Sequence, residues 1–249
     1  MSWVLLRGLT REARHWNDLP DRLAGVFPGQ QIVALDLPGN GALHHQHSPG
    51  SVRAMLDSAR QRLRAQGLEP PWHLLGMSLG GMLATDWAQQ QPQEVARLVL
   101  INTSMRPFNA ITDRLRTGNW LQLALLAARW QDANYSEGAI HSLTCAYRSR
   151  REQDLAAWQG IRQTAPVSSV NAWRQLWAAA CFSSAATAPP CPTLLLSSAA
   201  DRLVNPRCSA QLALAWQAEH QQHPWAGHDL PHDDADWVCQ RLADWQGRG

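Results

Sequence analysis

Lysine is missing: all 22 basic residues of the 249-residue chain are arginine. Without a lysine amine the protein cannot form a Schiff base, hold a lysine-bound cofactor or build a phosphate-binding P-loop. No pair of its five cysteines is spaced C-x-x-C, and the count is odd, so free thiols in a reducing compartment are expected. No stretch approaches the about 20 apolar residues of a membrane span. The opening Met-Ser-Trp-Val-Leu-Leu-Arg lacks the basic lead and long apolar run of a signal peptide, which points to a cytoplasmic protein. Charge is nearly balanced, at +2, so nucleic acid is not a default partner.

With 45% hydrophobic and 17% charged residues, the composition is that of a globular chain. Its length allows one large core, or one core plus an insertion. The thirteen tryptophans are expected mainly as core filler.

Short apolar runs predict strands at residues 3–6, 31–36, 72–77 and 96–102, with helical apolar spacing between them. Ser51 is placed to cap a helix whose apolar face is Val52, Met55, Leu56, Ala59 and Leu63. Strand–helix alternation of this kind predicts a mostly parallel sheet of about six strands with helices on both faces, an α/β class. The alternation stops at residues 105–187. Helical spacing there falls around Leu121, Leu125 and Ala128, and again around Ala172, Leu176 and Ala179. Strands resume at residues 193–198 and, more weakly, at the polar 219–223, and a last helix is expected over 233–246. The expected division is a core of residues 1–104 and 188–249, with 105–187 inserted.

Gly76-Met77-Ser78-Leu79-Gly80-Gly81 lies where a strand ends and a helix begins. That context gives a G-x-S-x-G match its chemical meaning. A strained turn lifts the serine hydroxyl above the sheet edge, beside the positive end of a helix dipole. Serine then needs a base, and the base needs a carboxylate to orient it. Both should lie in loops at the carboxyl edge of the sheet. His228 follows the last strand; His44, His45 and His47 are its rivals, with His223 and His232 nearby. Asp201 follows the fifth strand, and choosing it gives the order Ser78, Asp201, His228. Asp229 is too close to His228 in sequence to reach its far ring nitrogen easily. Asp36 reads as a structural turn residue holding backbone amides, and His73 as a packed strand residue. The three loop histidines lack the second half of a metal site, so no metal is expected.

The turn around Ser78, together with Asp36-Leu37-Pro38-Gly39-Asn40-Gly41, Asp201-Arg202-Leu203-Val204 and Gly227-His228, resembles the α/β-hydrolase superfamily. Within it the chain is most similar to small bacterial carboxylesterases, including pimeloyl-carrier-protein methyl esterases. The resemblance spans roughly residues 3–104 and 192–246. It implies Ser78 as nucleophile, His228 as base and Asp201 as its orienter, with the oxyanion hole formed by the backbone N–H groups of Leu9 and Leu79. It also implies a helical lid at 105–187 and ester hydrolysis without a cofactor, on a small-molecule ester. Relatives carry His-Gly where this chain has Arg7-Gly8, and Arg7 is expected to snorkel to solvent. The same triad also serves thioester or carrier-bound ester cleavage, acyl transfer and carbon–carbon hydrolysis; a ligand-binding relative without turnover is the non-enzyme reading. The segment 105–187 holds nine arginines against five acids. They read first as a solvated surface, and second as a dock for an acyl carrier protein or coenzyme A. Its tryptophans, Trp120, Trp130, Trp158, Trp173 and Trp177, are expected mostly to pack the inserted helices together.

Overall fold

A computed structural model describes residues 1–247. Its centre is a six-stranded sheet in the order β2-β1-β3-β4-β5-β6, formed by β1 (Ser2–Leu6), β2 (Gln31–Leu35), β3 (Trp72–Met77), β4 (Val95–Ile101), β5 (Thr193–Ser198) and β6 (Glu219–His223). Every neighbouring pair is parallel, more uniform than the mostly parallel sheet expected.

Parallel strands buried on both faces carry apolar residues at consecutive positions, and these do. Val4 and Leu6 face one core cluster while Trp3 and Leu5 face the other; Leu98 and Leu100 are likewise opposed to Val99 and Ile101. The first cluster is closed by α2 (Val52–Ala65), α3 (Leu79–Gln90) and α9 (Arg207–Trp216). The second is closed by α1 (Leu19–Val26) and α11 (Ala235–Gln246). Ser51 caps α2 by accepting from Ala54 N–H, and the five apolar residues expected on its inner face are all buried.

Strand β6 is polar because it is an edge strand, paired among the described residues with β5 alone. Where one last helix was expected there are two, α10 (Leu230–Asp233) and α11. Asp234, with non-helical φ −154° and ψ 80°, separates them, and its carboxylate caps α11 by accepting from Trp237 N–H.

Between β4 and β5 run α4 (Ile111–Arg114), α5 (Trp120–Ala128), α6 (Ala133–Thr144), α7 (Arg151–Thr164) and α8 (Ser169–Cys181). A bridge between Arg106 and Ser183 brings the two ends of this stretch together. The apolar stripes read from the sequence do not face inward here. Leu121, Leu125 and Leu176 are exposed; Leu126 on α5 and Ala178 on α8 are buried in their place. On α8 the other inward residues are polar, Asn171 and Gln175. They turn inward because the loops below present buried polar groups that need partners. Gln175 bonds Thr10 N–H, Asn40 and Ser48, while Asn171 bonds Ser48 N–H and Gln46 carbonyl. Trp130 and Trp158 are buried as expected, but Trp120, Trp173 and Trp177 are exposed.

Candidate active site

The order of strands reverses at β1 and β3: the chain leaves β1 for β2 on one side, then returns to β3 on the other. Open parallel sheets form their clefts at the carboxyl ends of such neighbours. Ser78 directly follows β3, and Gly8 and Leu9 lie just beyond β1.

Ser78 has φ 54° and ψ −116°, a conformation costly for a residue with a Cβ. It is held there from three sides. Its N–H donates to Ile101 carbonyl at 2.9 Å, its carbonyl accepts from Thr103 Oγ1 at 2.8 Å, and that carbonyl also accepts the first turn of α3. A side chain at Gly80 would collide with the Leu6 carbonyl oxygen, so α3 is tied to β1 without room for a methyl group. A Cβ at Gly8 would stand 3.2 Å from Ser78 Cβ, so the backbone after β1 passes directly over the serine.

His228 and Asp201 come together from the loops after β6 and β5. Nδ1 of the buried imidazole lies 2.7 Å from Asp201 Oδ2. A carboxylate only accepts, so the shared hydrogen belongs to Nδ1, and Nε2 keeps its lone pair. Asp201 Oδ1 accepts from Leu203 N–H at 2.8 Å and Val204 N–H at 2.9 Å, so both its oxygens are held. Asn102, just past β4, donates to His228 carbonyl at 2.8 Å and accepts from Ser198 N–H at 2.9 Å. No hydrogen bond joins Ser78 Oγ to His228 among the described residues. Such contacts are often long in unliganded sites.

The N–H groups of Leu9 and Leu79 have no hydrogen-bond partner among the described residues, whereas Thr10 N–H is taken by Gln175 at 2.8 Å. An unpartnered donor beside the serine is what an oxyanion needs.

Arg7 does not snorkel. It is buried and makes a bidentate ion pair with Asp229, at 2.6 and 3.0 Å. The guanidinium also covers the Trp16 ring and contacts Met77 Sδ. Burial opposes the charge on Asp229, but the Arg7 charge and hydrogen bonds outweigh it and hold the carboxyl at about 2. Sequence reasoning weighs Asp229 only as a partner for His228 and so misses this ion pair. The available signal was Arg7 itself, a charged residue at the end of an apolar strand.

The remaining candidates are placed elsewhere. His44 Nδ1 contacts Gly41 carbonyl and its ring packs on His45. Asp36 accepts from Ala13 N–H and Ala42 N–H. His223 accepts from Trp225 and Ala226 N–H groups and pairs with Asp234. His73 is buried against Trp3. His141, Cys145 and His232 offer ligand atoms within 4.8 Å of one another. Both ring nitrogens of His232 already have partners, Asn17 and Asp154, and His141 shares the same Asp154 oxygen. Burial also pushes the Cys145 thiol well up, away from thiolate. The cluster is thus a hydrogen-bonded network joining α6, α7 and α10. Several of the nine arginines serve the fold directly: Arg114, Arg116 and Arg174 donate to backbone carbonyls, and Arg162 pairs with Glu137.

A family model described as alpha/beta hydrolase fold matches residues 4–235. A putative carbamate hydrolase, RutD, of Klebsiella pneumoniae is 29% identical over 97% of this chain and 89% of that protein. The pimeloyl-[acyl-carrier protein] methyl ester esterase of Edwardsiella ictaluri is 35% identical, over 41% of this chain and 36% of its own length. Among solved structures, the enol-lactonase from Burkholderia xenovorans LB400 superposes with a TM-score of 0.80 at 17% identity, covering 99% of this chain and 91% of that one.

Proposed function

The chain belongs to the alpha/beta hydrolase fold family, and from that premise we propose that it is a serine hydrolase cleaving carboxylic esters through an acyl-enzyme. Ser78 Oγ attacks the ester carbonyl while His228 Nε2 takes its proton. The imidazolium that forms is stabilised by Asp201 across the 2.7 Å contact. Charge moves onto the carbonyl oxygen, where the Leu9 and Leu79 N–H groups receive it; a donor in that position contributes about 3–4 kcal/mol. His228 returns its proton to the leaving alcohol. Water then enters, loses a proton to His228 and releases the acid and the serine.

The observation that carries this reading is the buried Asp201–His228 pair, on the same sheet edge as the strained Ser78 turn. Residues 105–187 serve as the lid, with 1–104 and 188–249 as the core. No cofactor or metal enters the scheme.

A second reading keeps the triad and changes the bond. The near full-length similarity to a putative carbamate hydrolase favours a carbamate, whose carbonyl is open to the same attack. A carrier-bound ester, suggested by the shorter similarity to the methyl ester esterase, is a narrower variant.

The test is labelling with a fluorophosphonate, alongside turnover of p-nitrophenyl esters of increasing chain length and of a carbamate analogue. Ser78→Ala should fold, take no label and lose at least about a thousandfold in kcat. Near-normal ester turnover by that variant refutes the scheme.

A further inference from the structure

Nine of the twelve large hydrophobic side chains exposed among the described residues lie between β4 and β5. Helix α8 is turned inside out relative to an ordinary surface helix. Asn171 and Gln175 point to the protein, while Trp173, Leu176 and Trp177, spaced i, i+3 and i+4, point to solvent. Trp173 is 64% exposed and Trp177 57%. Helix α5 reads Trp-Leu-Gln-Leu-Ala-Leu-Leu-Ala-Ala, apolar nearly all round, yet only Leu126 is buried. Trp120, Leu121 and Leu125 are exposed. Arg114, at the end of α4, donates to Ala179 carbonyl on α8 at 2.6 Å. Exposed apolar surface on this scale marks an interaction site.

The chemistry of the face selects its occupant. Neither α5 nor α8 contains an acidic residue. Arg174 lies on α8 and Arg129 directly follows α5, while the nearby acids are engaged: Asp113 by Asn205, and Asp132 by Arg129 and the first turn of α6. Tryptophan, leucine and arginine on short helices without acids is the composition of segments that lie at a lipid–water boundary. Anionic headgroups complement the exposed Arg174, which bonds Ser48 carbonyl and pairs with no carboxylate among the described residues. A second copy fits less well. A two-fold contact would set one acid-free face against another and offer Arg174 no carboxylate. Nor do the helices cross a bilayer: no described helix is long and apolar enough. The nine residues of α5 span about 14 Å at 1.5 Å per residue.

We propose that the outward faces of α5 and α8 dock this protein onto an anionic lipid surface. The face lies beside the candidate site on two sides. Through Gln175, α8 holds Thr10 next to the Leu9 amide, and Arg116, just before α5, donates to Asp201 carbonyl at 2.9 Å. A docked molecule therefore has the elements around Ser78 near the lipid. Delivery of an apolar ester from that surface rests on the serine-hydrolase reading; the docking itself does not.

The experiment is co-sedimentation with phosphatidylglycerol vesicles and with phosphatidylcholine vesicles, with tryptophan fluorescence and size-exclusion mass measured alongside. Wild type should sediment with phosphatidylglycerol, with blue-shifted emission, and at least tenfold less with phosphatidylcholine or in high salt. Trp173→Gln/Trp177→Gln and Leu121→Gln/Leu125→Gln should each lose at least tenfold in binding. Their substitutions are exposed, so circular dichroism and turnover of soluble p-nitrophenyl acetate should match wild type. Docking is overturned by absent binding to phosphatidylglycerol, by equal binding to both lipids, or by full binding in both double variants. It is also overturned by a wild-type dimer that these substitutions dissolve. If docking holds but no ester is turned over, the catalytic reading fails alone; if esters are turned over without vesicle binding, docking fails alone.

Discussion

Arg7 and Asp229 face each other in a buried bidentate ion pair, with side chains only 2% and 4% exposed. Each is the sequence neighbour of a candidate functional element: Arg7 precedes Gly8 and Leu9, and Asp229 follows His228. The same guanidinium contacts Met77, which precedes Ser78. One side chain thus ties together the loop after β1, the Ser78 turn and the loop that carries His228, through their neighbours. Breaking a buried pair from one side leaves an uncompensated charge, at about 3–5 kcal/mol. Arg7→Ala and Asp229→Ala should each lose about that much in urea denaturation. An Arg7→Met/Asp229→Leu double variant should recover most of the stability, because neither charge is then stranded, but not kcat, because the spacing of the three loops is no longer fixed. Full recovery of both limits the pair to packing.

Asp201→Asn should keep the fold and lose about 10⁴-fold in kcat. The amide Oδ1 can still accept from Leu203 and Val204 N–H groups, but its NH2 would donate toward His228 Nδ1. That selects the tautomer with the proton on Nε2, where the lone pair is needed. Ester turnover with single-turnover kinetics measures the loss, and a change below tenfold would remove Asp201 from the scheme.

The core was legible because its strands are consecutive apolar runs and its helices carry inward stripes, as with Val52, Met55, Leu56, Ala59 and Leu63 on α2. That Ser78, Asp201 and His228 gather at one edge of the sheet was legible because each follows a strand there. Two features were not. Arg7 reads as surface by residue type, and only a partner 222 residues away makes burial tolerable. The stripe on α8 reads as core by periodicity, yet Asn171 and Gln175 answer buried polar groups in the loops after β1 and β2 and rotate that stripe outward. Periodicity finds an apolar face; it does not say that polar demand on the other side will win.

His73 gives a pH-dependent contribution to stability. Burial within β3, with Arg97 and the N-terminal amine adding positive charge nearby, lowers its pKa from 6.5 to about 4. The folded state therefore holds this ring neutral where the unfolded chain has begun to bind a proton. Stability from this group is fully present above pH 6.5 and falls as pH drops toward 4, because the unfolded state binds more protons there. His73→Phe should flatten that part of the stability–pH curve without altering stability at pH 8 by the same amount. Denaturation midpoints at pH 4.5, 5.5, 6.5 and 8 test it, and parallel curves for the two proteins contradict it.

Asn102 separates backbone strain from hydrogen bonding in the candidate base loop. Its φ of 46° lies in the left-handed region, and its amide donates to Ser198 Oγ, Gly227 carbonyl and His228 carbonyl. Alanine keeps the strain and loses the bonds, stranding buried acceptors at about 1–3 kcal/mol. Glycine loses the same bonds but accepts the positive φ without a Cβ clash. Asn102→Gly should therefore be more stable than Asn102→Ala, while both lose kcat by a similar factor, about 10–100-fold. The shared loss follows because the loop carrying His228 is no longer tied to β4 and β5, whatever residue 102 does to its own backbone. Asn102→Asp should be worse than either, since a carboxylate would face two carbonyl oxygens in a buried site. If glycine restores kcat along with stability, Asn102 serves the turn alone, and the position of His228 is set by Asp201 and by the Gly227 N–H bond to Asp233 at 2.7 Å.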